Sequence, residues 1–152
     1  MQNLILAVGR WKMSPEKALY ELYEKRIQPP LQLKEVEEKK RLSVAERTRR
    51  EGQLLLNAVP DGARIVVLDG IGTGLSSRAL AETLRRWRDD GARSTAFLIG
   101  ESNGHGQAVL QRANLKLSLG PQTWPHMMVR AMLAEQLYRV QAILSGHPYH
   151  RE

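Results

Sequence analysis

The side chains with the most chemistry in this 152-residue sequence stand where chains usually carry the least. The last eight residues read SGHPYHRE, so that His147, Tyr149, His150 and Arg151 fall in a stretch that is more often small, polar and frayed. Histidine, with an ordinary pKa of about 6.5, is the natural proton acceptor near neutrality, while tyrosine and arginine donate hydrogen bonds to oxyanions and phosphates. Pro148 restricts the backbone just ahead of these groups and so lowers the cost of ordering them. A second pair, His126 and Arg130, sits one turn apart at the start of a long helical pattern, with Glu135 further along it. The four histidines lack the spacing of a metal site: His147 and His150 are separated by a proline, and no carboxylate cluster accompanies them. No metal is expected. With no cysteine in the chain, disulfides, thiolate metal sites and thiol catalysis are excluded.

Three glycine-bearing loops follow apolar runs. VVLDGIGTGLSS, residues 66–77, resembles a dinucleotide fingerprint only superficially, because the third glycine of G-x-G-x-x-G should fall at position 75, which is leucine. A tight turn is the better expectation there. FLIGESNGHGQ, residues 97–107, has Gly100, Gly104 and Gly106 but no Lys-Ser/Thr pair after them, so it is not a P-loop; it reads as a ligand loop or an ordinary turn from strand to helix. LSLGPQTWPHMMVR, residues 117–130, bends at Gly-Pro and brings Trp124 to a helix start. Backbone amides and an indole could hold a flat, adenine-like group there, or the tryptophan could fill the core. No G-x-S-x-G elbow supports a hydrolase.

The elements that must position these loops are legible from periodicity. Strand-like runs cover 3–8, 31–36, 64–69, 94–100 and, more weakly, 115–119. Between them, Ser14 followed by Pro15 opens one helix, Ser43 with Glu46 makes a capping-box start for a second, and Gly91 closes a third. The last helix begins near Pro125 and carries Val129, Met132, Leu133, Val140, Ile143 and Leu144 at 3.6 spacing, widened by Ala131, Leu137 and Ala142. A helix apolar on more than one side needs two partners, one its own sheet and the other a candidate second subunit. Alternating strands and helices give an α/β class with a mostly parallel sheet, in a single domain spanning 1–152. Lys plus Arg number 23 against 16 acids, a net charge of +7, which favours a polyanionic partner. The single phenylalanine argues against an aromatic single-strand platform. No apolar run reaches a membrane span and the N-terminus lacks a leader pattern, so a cytoplasmic location is expected.

Taken in order, LILAVG, VVLD…G…LSS, FLIG…NG, LSLG…TWPHMMVR…LAEQLYR and the terminal HPYHRE resemble one family over essentially the whole chain. That family is the SPOUT-class ribosomal RNA large subunit methyltransferase H, which methylates a pseudouridine of 23S rRNA with S-adenosylmethionine. The resemblance implies a C-terminal trefoil knot, a rare departure from unthreaded chains, and a homodimer acting on the assembled ribosome. It implies a cofactor held largely by backbone at Leu68, Gly100, Gly104 and the run Leu119, Gly120, Pro121, Gln122, Thr123 and Trp124.

For the tail, it implies that Tyr149, His150 and Arg151 cover the cofactor pocket of the partner subunit, with His126 and Arg130 facing the same space. His150 would be the base or proton relay, Tyr149 would orient the target base, and Arg151 would hold phosphate or a ring oxygen. The resemblance implies two adjacent glycines at the position where this chain has Gly100-Glu101. A glutamate forced to positive φ there would cost on the order of 1 kcal/mol. Glu101 and the positive charge also suit a second reading, a non-catalytic ribosome- or RNA-binding protein that keeps the fold.

Overall fold

The computed structural model describes residues 1–152. Five parallel strands form one sheet in the order β2-β1-β4-β3-β5: β1 (Gln2–Val8), β2 (Gln32–Val36), β3 (Arg64–Gly74), β4 (Ser94–Ile99) and β5 (Leu115–Ser118). Parallel strands buried on both faces should read as continuous apolar runs, and β1 and β4 do. Leu4, Leu6 and Val8 alternate with Ile5 and Ala7, and Ala96 and Leu98 with Phe97 and Ile99. The first set packs with Leu55 of α2 (Val44–Asn57) and Val109 of α4 (Gln107–Arg112). The second packs with Tyr20 of α1 (Pro15–Glu24), Leu80 and Leu84 of α3 (Ser77–Asp89), and Leu133 and Leu137 of α5 (His126–Ser145).

Local signals set the helix ends. Ser14, Ser43 and Ser76 accept hydrogen bonds from the amides of Lys17, Glu46 and Ala79, satisfying donors that each first turn would otherwise leave free. At the far end of α5, Gly146 adopts φ +74° and the His147 amide reaches back to the Ala142 carbonyl at 2.9 Å, a left-handed cap that glycine enters without a Cβ penalty. The second apolar side of α5 is met within the chain, because the helix packs against both α1 and α3 as well as the sheet.

The short helix α4 follows the turn after β4, and its six residues, under two turns, give no periodic signal in the sequence. One reading of the sequence needs correction: the Gly70–Gly74 stretch is not a simple turn. Strand β3 runs on through it, and Leu117 of β5 pairs first with Leu68 and again with Thr73, so residues 69–72 loop out and return to the same strand. Gly72 makes this possible: a Cβ there would stand 2.6 Å from the Lys116 carbonyl oxygen.

Candidate active site

All five strands point their carboxyl ends to one edge, where ligands bind in open α/β sheets. The β3 stretch ending at Leu68 and the loops after β4 and β5 stand there and carry the nine residues expected at a cofactor. Leu68 is half-buried where β3 leaves the sheet. The Ser118 hydroxyl ties the neighbouring loops together, lying 3.3 Å from the Gly70 carbonyl and 3.0 Å from that of Gly120 while accepting from the Gly120 amide at 3.1 Å. Trp124 donates its indole N–H to the Leu119 carbonyl at 3.2 Å and stays 37% exposed. The indole therefore walls the Leu119–Trp124 loop and does not fill the core. Pro121, Gln122 and Thr123 between them are exposed.

The loop after β4 is a tight turn. Glu101 and Gly104 form an antiparallel bridge, with the Gly104 amide donating to the Glu101 carbonyl at 2.9 Å. Gly100 sits so close to the returning chain that a Cβ would be 2.9 Å from the Gly104 oxygen. Gly104 itself takes φ +75°, as Gly120 takes +106°, and nothing lies within 4 Å of where their Cβ atoms would stand. Both loops thus present bare backbone to open space, which fits a group recognised by main-chain amides and carbonyls. Glu101 is not at positive φ, nor is any non-glycine residue, so the strain expected from this substitution does not arise.

Beneath the turn, the His105 ring approaches the Leu98 carbonyl at 3.2 Å and would touch a Gly100 Cβ at 3.2 Å. Burial pushes its pKa below the ordinary imidazole value, against the smaller opposing pull of the Leu98 carbonyl and Asp69. His105 is a neutral plug that supports the loop. Sequence spacing tested it only as a metal ligand, and only packing could disclose this position.

His126 and Arg130 converge on Gly9 at the end of β1, where a Cβ would lie 3.8 Å from Arg130 Nη2 and 4.0 Å from His126 Nε2. Their surroundings differ. His126 is half-buried, whereas Arg130 is wholly enclosed. The Arg130 guanidinium pairs with Glu35 at 2.7 Å, donates to the Val8 and Gly9 carbonyls at 3.1 and 3.0 Å, and lies 4.6 Å from the Trp11 ring centroid. Arg130 does not face the open cleft as the sequence suggested. It is a clamp that holds the β1 carboxyl end against β2 and α5.

The tail is ordered on its own chain. Tyr149 meets Tyr138 edge-on at 4.7 Å and donates its hydroxyl to Glu135 at 3.1 Å. Arg139 binds the same carboxylate at 2.6 Å and lies 4.8 Å above the Tyr149 ring. Burial first, then hydrogen bonding to Tyr23 and Glu135, drives the Tyr149 pKa above the ordinary phenol value. His150 receives Arg139 Nη1 at Nδ1, 3.3 Å away. Arginine has no acceptor, so Nδ1 must accept and the ring proton sits on Nε2. That Nε2 is buried with no hydrogen-bond partner, 3.7 Å from Glu152, which in turn is paired with Arg78. Arg151 is exposed. Glu135, further along α5 than His126 and Arg130, proves to be the hub of this cluster. It lies nine residues from His126, about 13 Å along α5 at 1.5 Å per residue. Within one chain the structure therefore gathers the cofactor loops with His126, and separately gathers Tyr149 and His150.

Two cavities, of about 320 and 470 Å³, open elsewhere, beside Leu84, Leu137 and Val140 and along the α3–α5 groove; neither is lined by any of the nine loop residues. No group of histidine, aspartate or glutamate is placed to hold a metal. No helix is long and apolar enough to cross a membrane.

Residues 1–150 match the family model described as "Predicted SPOUT methyltransferase". The chain is 53% identical over 151 residues to the ribosomal RNA large subunit methyltransferase H of Paramagnetospirillum magneticum, and 50% identical over 151 residues to that of Rhodospirillum rubrum, covering 99% of both chains in each case. Among solved structures it resembles a methylase family protein from Haemophilus influenzae at 13% identity, with a TM-score of 0.56 over 97% of this chain and 67% of the other. It also resembles a Legionella pneumophila methyltransferase solved with the cofactor SAM bound, at 11% identity, with a TM-score of 0.50 over 91% of this chain and 66% of that one. The five-stranded parallel sheet with flanking helices is the architecture of the α/β knot fold that these matches imply.

Proposed function

The chain belongs to the SPOUT methyltransferase family, and from that premise we propose that it methylates a ring nitrogen, position three, of a pseudouridine in 23S rRNA, acting in the cytoplasm as a homodimer on the assembled ribosome. Its relatives' names supply the class of substrate. The observation that carries the reading is the cradle of bare backbone at Gly104 and Gly120, walled by Trp124, at the carboxyl edge of the sheet. S-adenosylmethionine, when bound there, supplies an electrophilic methyl carbon on a sulfonium. Leu68, Gly100, Gly104 and Leu119–Trp124 would hold it, mainly through main-chain groups.

The chain's own residues then have two tasks. One is placement, because an in-line displacement needs the nucleophile held opposite the methyl carbon. The other is charge: an imide nitrogen attacks well only after losing its proton, and the negative charge left on the ring must be stabilised. His126, at the β1 end of the cleft, stands where a target base would enter. The tail of the partner subunit would complete the site, with Tyr149 orienting the base and Arg151 on a phosphate or ring oxygen. His150 in its resting arrangement keeps Nε2–H buried and unpartnered, so the tail must shift to expose that donor to a ring oxygen. To take the imide proton it must first release Nδ1 from Arg139, so the relay and base roles are separated by that one contact.

The test is transfer of radiolabelled methyl from S-adenosylmethionine to ribosomes lacking the modification, comparing full-length protein with a version ending at Gly146. Labelling of 23S rRNA by the intact protein alone, with cofactor binding retained in both, is expected. Equal labelling by both removes the tail from the site, while absence of labelling and of cofactor binding in the intact protein turns the assignment toward a non-catalytic RNA-binding protein.

A further inference from the structure

The carboxyl edge that holds the candidate site is electrostatically divided. On the side of β4, β3 and β5, the loops 100–106, 69–76 and 119–125 carry no lysine or arginine, only Asp69, Glu101 and a His105 kept neutral by burial. Next to them, beyond β1 and β2, the loops 9–14 and 37–43 carry Arg10, Lys12, Lys39, Lys40 and Arg41, and α2 adds Arg47, Arg49 and Arg50. The two halves meet without a gap. Gly106, closing the turn after β4, would bring a Cβ within 3.6 Å of the Thr48 side chain on α2.

Not all of these cations are free. Arg10 is paired with Glu37 at 3.1 Å and Arg50 lies 3.8 Å from Glu38. Arg47 is spent internally, donating to the carbonyls of Glu38 at 2.6 Å and Lys40 at 2.7 Å. Those two bonds give the segment its shape. They staple the backbone of 38–40 to α2 and leave Lys39, Lys40 and Arg41 as three consecutive exposed cations with no ion-pair partner, with exposed, unpaired Arg49 on the adjoining helix. Other cations are neutralised, Arg85 and Arg88 by Asp89 on α3 and Arg139 by Glu135 on α5, while the unpaired Lys25, Arg86 and Arg93 stand away from the carboxyl edge. A cluster of unpaired cations beside a cleft is suited to phosphates, since each contact releases condensed counterions and fixes register without reading sequence.

We infer that the Arg47-stapled segment Lys39–Arg41, with Arg49, is the RNA-docking rim of this enzyme, gripping the phosphate backbone that flanks the target nucleotide so that the base enters over β1 beside His126. The inference rests on the methyltransferase reading above and adds the surface by which the substrate is held. It also gives Arg47 a positioning role: it touches no phosphate itself but shapes the loop that does.

The experiment measures methyl transfer to modification-free ribosomes as a function of salt. It compares the parent protein with Lys39→Ala/Lys40→Ala/Arg41→Ala and with a control triple of equal charge, Lys25→Ala/Arg86→Ala/Arg93→Ala, at the amino edge of the sheet. The rim triple is expected to raise the ribosome KM by on the order of tenfold or more and to make the log–log salt dependence shallower by about 2, as for the loss of two or three phosphate contacts. Its kcat, cofactor affinity and melting temperature should stay near the parent's, and the control should move KM by less than about twofold. A photo-crosslinking residue in place of Lys40 should label rRNA. An unchanged KM and salt slope in the rim triple, equal effects in both triples, or crosslinks only to ribosomal protein would each overturn the docking assignment. Absence of methyl transfer by the parent would instead count against the methyltransferase reading, so the two failures are distinguishable. Arg47→Met, which keeps the stem but loses both carbonyl bonds, should reproduce part of the KM rise with the three cations still present.

Discussion

Arg130 offers the sharpest test of how this fold is held. Replacing it with alanine removes a buried cation that satisfies three acceptors, the Glu35 carboxylate and the Val8 and Gly9 carbonyls, and that stacks on Trp11. Glu35 keeps one partner, the Trp11 amide at 2.6 Å, and is 22% exposed, so its charge is only partly stranded. Breaking a buried ion pair from one side typically costs about 3–5 kcal/mol, and partial exposure of Glu35 places this case near the lower end, about 3 kcal/mol. For a domain of this size that corresponds to a fall in melting temperature of about 6–12 °C. Equilibrium urea unfolding at fixed protein concentration, read alongside a thermal melt, measures it, and a double-mutant cycle with Glu35→Gln isolates the pair. The expected pattern is a large loss in each single variant and a coupling of more than about 1 kcal/mol. An Arg130→Ala protein within 1 kcal/mol of the parent, yet inactive on ribosomes, would refute the clamp and return Arg130 to the substrate.

Further expectations follow from single contacts. Glu51 is almost wholly buried, and burial first, then the nearby Glu101 charge, raises its pKa above the ordinary glutamate value. Because the folded state then holds the proton more tightly, stability is lost as pH rises from the ordinary glutamate pKa through the raised one. Glu51→Gln should therefore stabilise the protein at neutral pH and gain nothing in acid, as thermal melts across pH 3–8 would reveal. Gly72→Ala must push a methyl to 2.6 Å from the Lys116 oxygen, so a loss of about 2 kcal/mol or more is expected in denaturant unfolding. Glu101→Gly should relieve no strain, because Glu101 is not at positive φ; added chain freedom should cost up to about 1 kcal/mol, measured as a lowered urea midpoint. Trp124→Ala should weaken S-adenosylmethionine binding in calorimetry by about tenfold, and, since the ring is 37% exposed, should lower the melting temperature less than Arg130→Ala does.

Much of this protein was determined by sequence alone. The apolar runs at 3–8, 64–69 and 94–100 must be buried on both sides, and serines at 14 and 43 must end the chain's freedom where helices begin, because both effects depend on residues near one another in the chain. The glycine-bearing loops were visible for the same reason, and the order of motifs made the family legible.

Tertiary structure decided the rest. His126 and Arg130 are one turn apart and look equivalent in sequence, yet one borders the cleft and the other is sealed behind Glu35 and Trp11, residues remote in the chain. Gly72 looked like part of a turn until β5 was laid against it. Glu135 and Arg139 became the tail's anchor only when Tyr149 and His150 folded back on α5. A local pattern fixes which face a side chain takes. What that face meets is set by contacts across the chain, and burial, pairing and protonation follow from those contacts.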